Sequence, residues 1–120
     1  MERSLVNVPV VLYVWTRPDK LKRVFDVVRK AKPSYLFLVS DGAINGSQDQ
    51  MNLIYESRKI VNVIDWDCEV HRLYYDENNG LFNMFKIVSD YVFSKVDRYV
   101  FLEDDVVPSL SFFSYCEELL

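Results

Sequence analysis

Two stretches of this chain are apolar or aromatic at nearly every position for the length of a strand: Val8-Pro9-Val10-Val11-Leu12-Tyr13-Val14-Trp15 and Tyr35-Leu36-Phe37-Leu38-Val39-Ser40. A strand with one face in water alternates polar and apolar residues; a strand apolar throughout is covered on both faces. The chain therefore needs helices on both sides of a sheet, and the sequence supplies them. Thr16-Arg17-Pro18-Asp19 opens a helix, with Pro18 suited to its first turn. Leu21, Val24, Phe25, Val28 and Ala31 then recur at helical spacing until Pro33-Ser34. A second helix begins near Gln48, with Met51, Ile54, Tyr55 and Ile60 as its apolar positions. A third carries Leu81, Phe82, Phe85, Val88, Val92 and Phe93, and a short terminal helix starts at Ser109 or Ser111. Cys68 to Tyr74 alternates in part, which suits a strand with one polar face near a sheet edge. Strands are thus predicted near 8–15, 35–40, 68–74 and 99–103. The order β-α-β-α-β-α-β-α predicts a three-layer α/β fold with a mostly parallel, Rossmann-like sheet.

The fourth strand ends abruptly in acids: Tyr99-Val100-Phe101-Leu102 runs straight into Glu103-Asp104-Asp105. Ionised carboxylates do not stay in a core without partners. They belong at the carboxyl end of the strand, where open α/β sheets bind ligands. Adjacent hard oxygen donors there suit Mg²⁺ or Mn²⁺, which in turn hold phosphates; a solvated acidic turn is the plainer alternative. In a parallel sheet the loops after the strands share one edge. Thr16-Arg17, Asp41-Gly42, Asp76 to Gly80 and Glu103 to Asp105 are therefore predicted to converge.

Composition narrows the partners. With 120 residues, 50% hydrophobic and 15% aromatic, the chain is one domain with enough apolar content for a core. The net charge of -4 argues against nucleic acid. The basic set from Lys20 to Lys32 reads as a solvated helix face. Cys68 and Cys116 match no metal or redox spacing and read as reduced packing residues. Leu5 to Trp15 is broken by Asn7 and Pro9 and lacks a small-residue cleavage site. No segment reaches the ~20 apolar residues of a membrane span, so a cytoplasmic location is expected.

Each candidate site residue has two readings. Arg17 binds a base, carbonyl or phosphate, or pairs with Asp19 or a neighbouring acid. Asp41 contacts a nucleoside or forms the turn before Gly42. Asn79-Gly80 offers close approach to a ligand, or Asn78 or Asn79 caps a helix. His71 lies inside a strand and reads as structural. Trp15 and Trp66 read as packing residues. No glycine-rich dinucleotide fingerprint or phosphate-loop lysine follows the first strand.

Taken in order, several of these pieces resemble the amino-terminal, nucleotide-binding part of GT-A fold glycosyltransferases, closest to family-2-like bacterial sugar transferases and the N-acetylglucosaminyltransferase I group. The matching pieces are Val10 to Pro18, Val39-Ser40-Asp41-Gly42, Asp65-Trp66 leading into Cys68-Glu69-Val70, and Glu77-Asn78-Asn79-Gly80-Leu81. Phe101 to Asp105 with Pro108-Ser109 and Phe112-Phe113 completes them. The resemblance implies metal-dependent binding of a UDP- or GDP-sugar, with a glycan or other acceptor in the full-length enzyme. By it, Arg17 and Asp41 contact the base and Asp104 the ribose. Asp105 ligates Mn²⁺ or Mg²⁺ on the diphosphate, and Glu103 supports the metal's water shell. Thr16, Asn79 and Gly80 complete the nucleotide site. No residue is assigned as the catalytic base.

The chain ends shortly after the acidic triplet, whereas the family's domains run on, so residues 1–120 are expected to be a donor-binding portion truncated at its carboxyl end. The fourth strand and Phe112-Phe113 are expected to leave apolar surface that drives self-association. A receiver-like signalling module, a nucleotidyltransferase and a non-catalytic interaction module are the competing classes. The first needs an acid pair after the first strand and the second a basic glycine-rich loop there, and Thr16-Arg17 provides neither.

Overall fold

The computed structural model describes residues 2–120. Four strands form one all-parallel sheet: β1 Val10–Tyr13, β2 Tyr35–Ser40, β3 Glu69–Tyr74 and β4 Val100–Leu102, in the order β3-β2-β1-β4. The helices are α1 Pro18–Ala31, α2 Gln48–Ile60, α3 Leu81–Phe93 and α4 Leu110–Leu119. β1 is central, with Val10 beside both Leu36 and Val100 and Leu12 beside both Leu38 and Leu102. β3 lies at one edge, as its polar alternation predicts.

Side-chain alternation splits the core into two layers. Val10, Leu12, Leu36, Leu38, Val100 and Leu102 face α1 and meet Leu21, Val24, Phe25 and Val28. Val11, Phe37, Val39 and Leu73 face α3 and meet Met84, Val88 and Val92. The crossovers from β1 to β2 and from β3 to β4 run in opposite directions along the sheet, which places α1 and α3 on opposite faces when both are right-handed. Trp66, in the connection from α2 to β3, is fully buried beside Phe25 of α1, its indole N–H donating to the carbonyl of Pro33 at 2.8 Å.

Local chemistry sets the boundaries. α1 starts at Pro18 and ends where Lys32 turns left-handed (φ 51°), its N–H still reaching the carbonyl of Val28. α2 is capped by Ser47, whose hydroxyl accepts the N–H of Gln50 at 3.3 Å. β1 is shorter than the predicted 8–15. Pro9 has no N–H to pair, and the Trp15 N–H leaves the ladder for Asp104. β4 likewise loses Glu103 to the turn that carries the acids.

Two expectations are corrected. Phe113 is not left open: it is fully buried, Cys116 is buried beside it, and Phe112 packs against the same core as α1. In α3 the inward stripe is Met84, Val88 and Val92, leaving Leu81, Phe82, Phe85 and Phe93 exposed. Among the described residues no helix is long and apolar enough to cross a membrane.

Candidate functional site

From β1 the chain runs one way to β2 and β3, then crosses back to β4 on the other side of β1. The loops after β1 and β4 lie side by side, both leading to helices on the α1 face, and a crevice opens beside them at the sheet's carboxyl edge, over Tyr13 and Phe101 on the α3 side. Its open volume is about 270 Å³. Trp15, Thr16 and Arg17 form one wall, and Glu103, Asp104 and Asp105 the other. Tyr13, Phe101 and Leu81 give it an apolar floor.

The three acids are not equivalent. Asp104 is 7% exposed, and its Oδ2 accepts the backbone N–H of Trp15 at 3.2 Å, bridging the two strands that frame the crevice. Burial raises the Asp104 pKa above the ordinary carboxylate value, and neighbouring Asp105 adds to this. The Trp15 N–H and the Arg17 charge oppose it. Asp105 pairs through Oδ2 with Nη1 of Arg17, so the ion-pair reading of Arg17 holds in this state, with Asp105 as the partner instead of Asp19. Glu103 is exposed. Among the described residues no three His, Cys, Asp or Glu side chains converge as a ready-made metal cage. Glu103 is exposed and Asp105 partly so; a cation held by these two hard donors would need its remaining ligands from water or phosphate.

Asp41 stands on the same edge but is differently employed. It is 1% exposed, and five donors converge on its carboxylate. Oδ1 accepts the N–H groups of Gly42 and Asn79, both at 2.9 Å, and Nδ2 of Asn79 at 3.2 Å. Oδ2 accepts Nδ2 of Asn78 and the N–H of Gly80, both at 3.1 Å. A carboxylate has about four lone-pair sites, so this one is saturated. In this structure Asp41 has a structural task, holding the loop before α3.

The cap reading is corrected. Gly80, at φ 84° and ψ 154°, occupies the cap of α3, while the side chains of Asn78 and Asn79 turn back to Asp41. Gly42 is demanded by close packing: a Cβ there would lie 2.5 Å from the carbonyl oxygen of Asp76. Asn78 also donates to the carbonyl of Gly42 at 2.9 Å, and the indole N–H of Trp15 reaches the same oxygen at 3.2 Å. That oxygen joins the two clusters, so all four predicted polar segments meet on one edge.

Sequence reasoning missed Tyr13, Trp15 and Asn78. Tyr13 closes a buried strand yet lines the crevice. Burial first, then the charges of Asp41 and Asp104, push its phenol up to about 12, so it is a hydrogen-bond donor at neutral pH. A polar-tipped aromatic as the last residue of an apolar strand was the available signal. Trp15 acts chiefly through its backbone N–H, which no side-chain pattern reveals. Outside the site, His71 bridges Tyr91 and Glu69 and stacks on Phe37, a structural role as expected.

Searches of protein-family models, of curated proteins and of solved structures return no match to this chain.

Proposed function

We propose that this chain is the donor-binding part of a GT-A-type glycosyltransferase, binding a UDP- or GDP-sugar together with Mn²⁺ or Mg²⁺. The observation that carries the reading is the crevice between β1 and β4. It brings a buried carboxylate, a partly exposed carboxylate and an arginine from distant parts of the sequence to one end of the sheet. Keeping Asp104 buried and acidic costs stability, a cost that a solvated turn does not require and that ligand sites commonly carry.

In this reading Asp105 holds the cation, with Glu103 on its water shell. When bound, the metal neutralises charge on the diphosphate as a Lewis acid. Asp104, fixed by the Trp15 N–H, presents its other oxygen to the ribose. Arg17 neutralises Asp105 in the ligand-free chain and turns to the base or phosphate when a cation takes Asp105. Thr16 lines the same wall. Asp41, Asn79 and Gly80 serve by fixing the loop that leads into Leu81, with their carboxylate and amides already engaged. The acceptor, a glycan or another molecule, would be bound in the full-length enzyme, and no catalytic base is assigned. A cytoplasmic setting suits the two free thiols.

Calorimetric titration of UDP and GDP tests the reading. Binding of one of them with Mn²⁺ present, and none in excess chelator, supports it. Equal binding in both conditions, or no binding of either, refutes it.

A further inference from the structure

One arginine outside the crevice is spent entirely on neutral acceptors. Arg58 of α2 donates Nη2 to the carbonyl of Tyr75 at 2.8 Å and to those of Ser40 and Asp41 at 3.3 Å. Its Nε donates to Oγ of Ser40 at 3.0 Å, and its guanidinium lies 4.7 Å from the centre of the Tyr74 ring. A cation committed in this way gains no ion pair, so its value lies in what it joins. It sits four residues beyond buried Ile54, on the inward side of α2. The joined carbonyls belong to the carboxyl ends of β2 and β3, where the two halves of the Asp41 cluster depart. Ser40 and Asp41 lead into Gly42, and Tyr75 leads into Asp76 to Gly80. The loop crosses Gly42 in backbone contact and is caught at its far end by the Asp41 carboxylate, which takes the N–H groups of Asn79 and Gly80. It is held by Arg58 at its start and by Asp41 at its end, with the Tyr75 N–H on the Ser40 carbonyl at 3.0 Å and a bridge between Ala43 and Glu77 as further backbone ties. It hands over to Leu81, which lines the crevice.

We propose that Arg58 is the positioning residue of this loop: by tying the Tyr75 carbonyl to the backbone of Asp41, it sets where Asn79 to Leu81 stand at the crevice. The consequence for ligand binding rests on the nucleotide reading above; the clamp itself does not. Lysine places its three donors on one nitrogen at the end of a flexible stem, so without the planar fork it holds these spread acceptors less firmly.

The test compares Arg58→Lys and Arg58→Met with the parent, using amide exchange without ligand and then titration with Mn²⁺ alone and with UDP or GDP plus Mn²⁺. Exchange at Asn79 and Gly80 should speed up about tenfold or more, with amides of β1 and β4 unchanged. Nucleotide affinity should fall about five- to tenfold while Mn²⁺ affinity stays within about twofold. If Arg58→Met does not fold, Arg58→Lys decides. Unchanged exchange at Asn79 and Gly80, or the same acceleration at every amide, overturns the clamp. A loosened loop with unaltered nucleotide affinity overturns its role at the site. If the parent binds no nucleotide, the nucleotide reading and this ligand-positioning role fall together, and the exchange data alone still decide whether Arg58 holds the loop.

Discussion

The two edges of the sheet are built for different neighbours. β3 has six residues paired along β2, and its exposed positions include Glu69 and Arg72, with His71 tied to Glu69 and Tyr91. Charge along an edge discourages further strand pairing. β4 has three residues, none of them charged, and its flank is aromatic. Phe85 lies 5.5 Å from Phe101 and Phe93 lies 5.1 Å from Tyr99, measured between ring centres, and Phe82 is 84% exposed. The candidate site lies at the carboxyl end of β4, on the apolar flank. The proposed ligand chemistry therefore lies beside an exposed aromatic flank, and the opposite edge carries charge.

The largest test of this contrast is in the core. Phe113 is fully buried on the α1 side, and Phe113→Ala should cost about 3–5 kcal/mol. Arg72→Ala on exposed β3 should stay within roughly 0.5 kcal/mol. Urea denaturation measures both, and equal effects would break the comparison.

Association is the next discriminator. The chain is proposed to self-associate through the β4 flank, so sedimentation should show a concentration-dependent dimer or larger species. Phe82→Ser should weaken that species, and Arg72→Ala should leave it alone. A strict monomer at high concentration contradicts the proposal.

The buried acid beside β4 should show in the pH dependence of stability. The folded pKa of Asp104 is raised, chiefly by burial, so between the ordinary carboxylate value and the raised one the folded state holds a proton that the unfolded state has released. Stability must fall as pH rises through that window and stay lower above it. Asp104→Asn should remove this dependence and gain on the order of 1 kcal/mol at neutral pH. Melting curves of Asp104→Asn and the parent across pH read the difference.

The smallest effect concerns Arg17. Removing it frees Asp105 from an exposed ion pair worth about 0.2–1 kcal/mol, so Arg17→Ala should tighten Mn²⁺ binding by a few fold at most. The same change should weaken nucleotide binding, where Arg17 is proposed to act. Mn²⁺ titration alone, then with UDP or GDP, separates the two roles.

The sheet was legible because burying a strand on both faces leaves a mark at every position, and β3 was legible as an edge from its polar alternation. The stripe of α3 was not. Leu81, Phe82, Met84, Phe85, Ile87, Val88, Tyr91, Val92 and Phe93 surround that helix with apolar groups, so spacing cannot select Met84, Val88 and Val92. The meeting of four polar loops followed from parallel topology, whereas the use made of Asp41 depended on Asn78, Asn79 and Gly80, more than thirty-five residues away. Local sequence names turn chemistry at Asp41 but cannot show which later loop folds over it. Arg58 was hidden similarly, since its acceptors are backbone carbonyls.

The most direct test of the central claim is calorimetry on Asp105→Ala beside the parent, with UDP or GDP in Mn²⁺. The β4 acids would repel a diphosphate in the absence of a cation, and Asp105 is the proposed metal ligand. The account predicts metal-dependent nucleotide binding in the parent and its loss in Asp105→Ala, with the variant's melting temperature close to the parent's. An Asp105→Ala chain that binds nucleotide as tightly as the parent would show the acidic triplet to be a solvated turn.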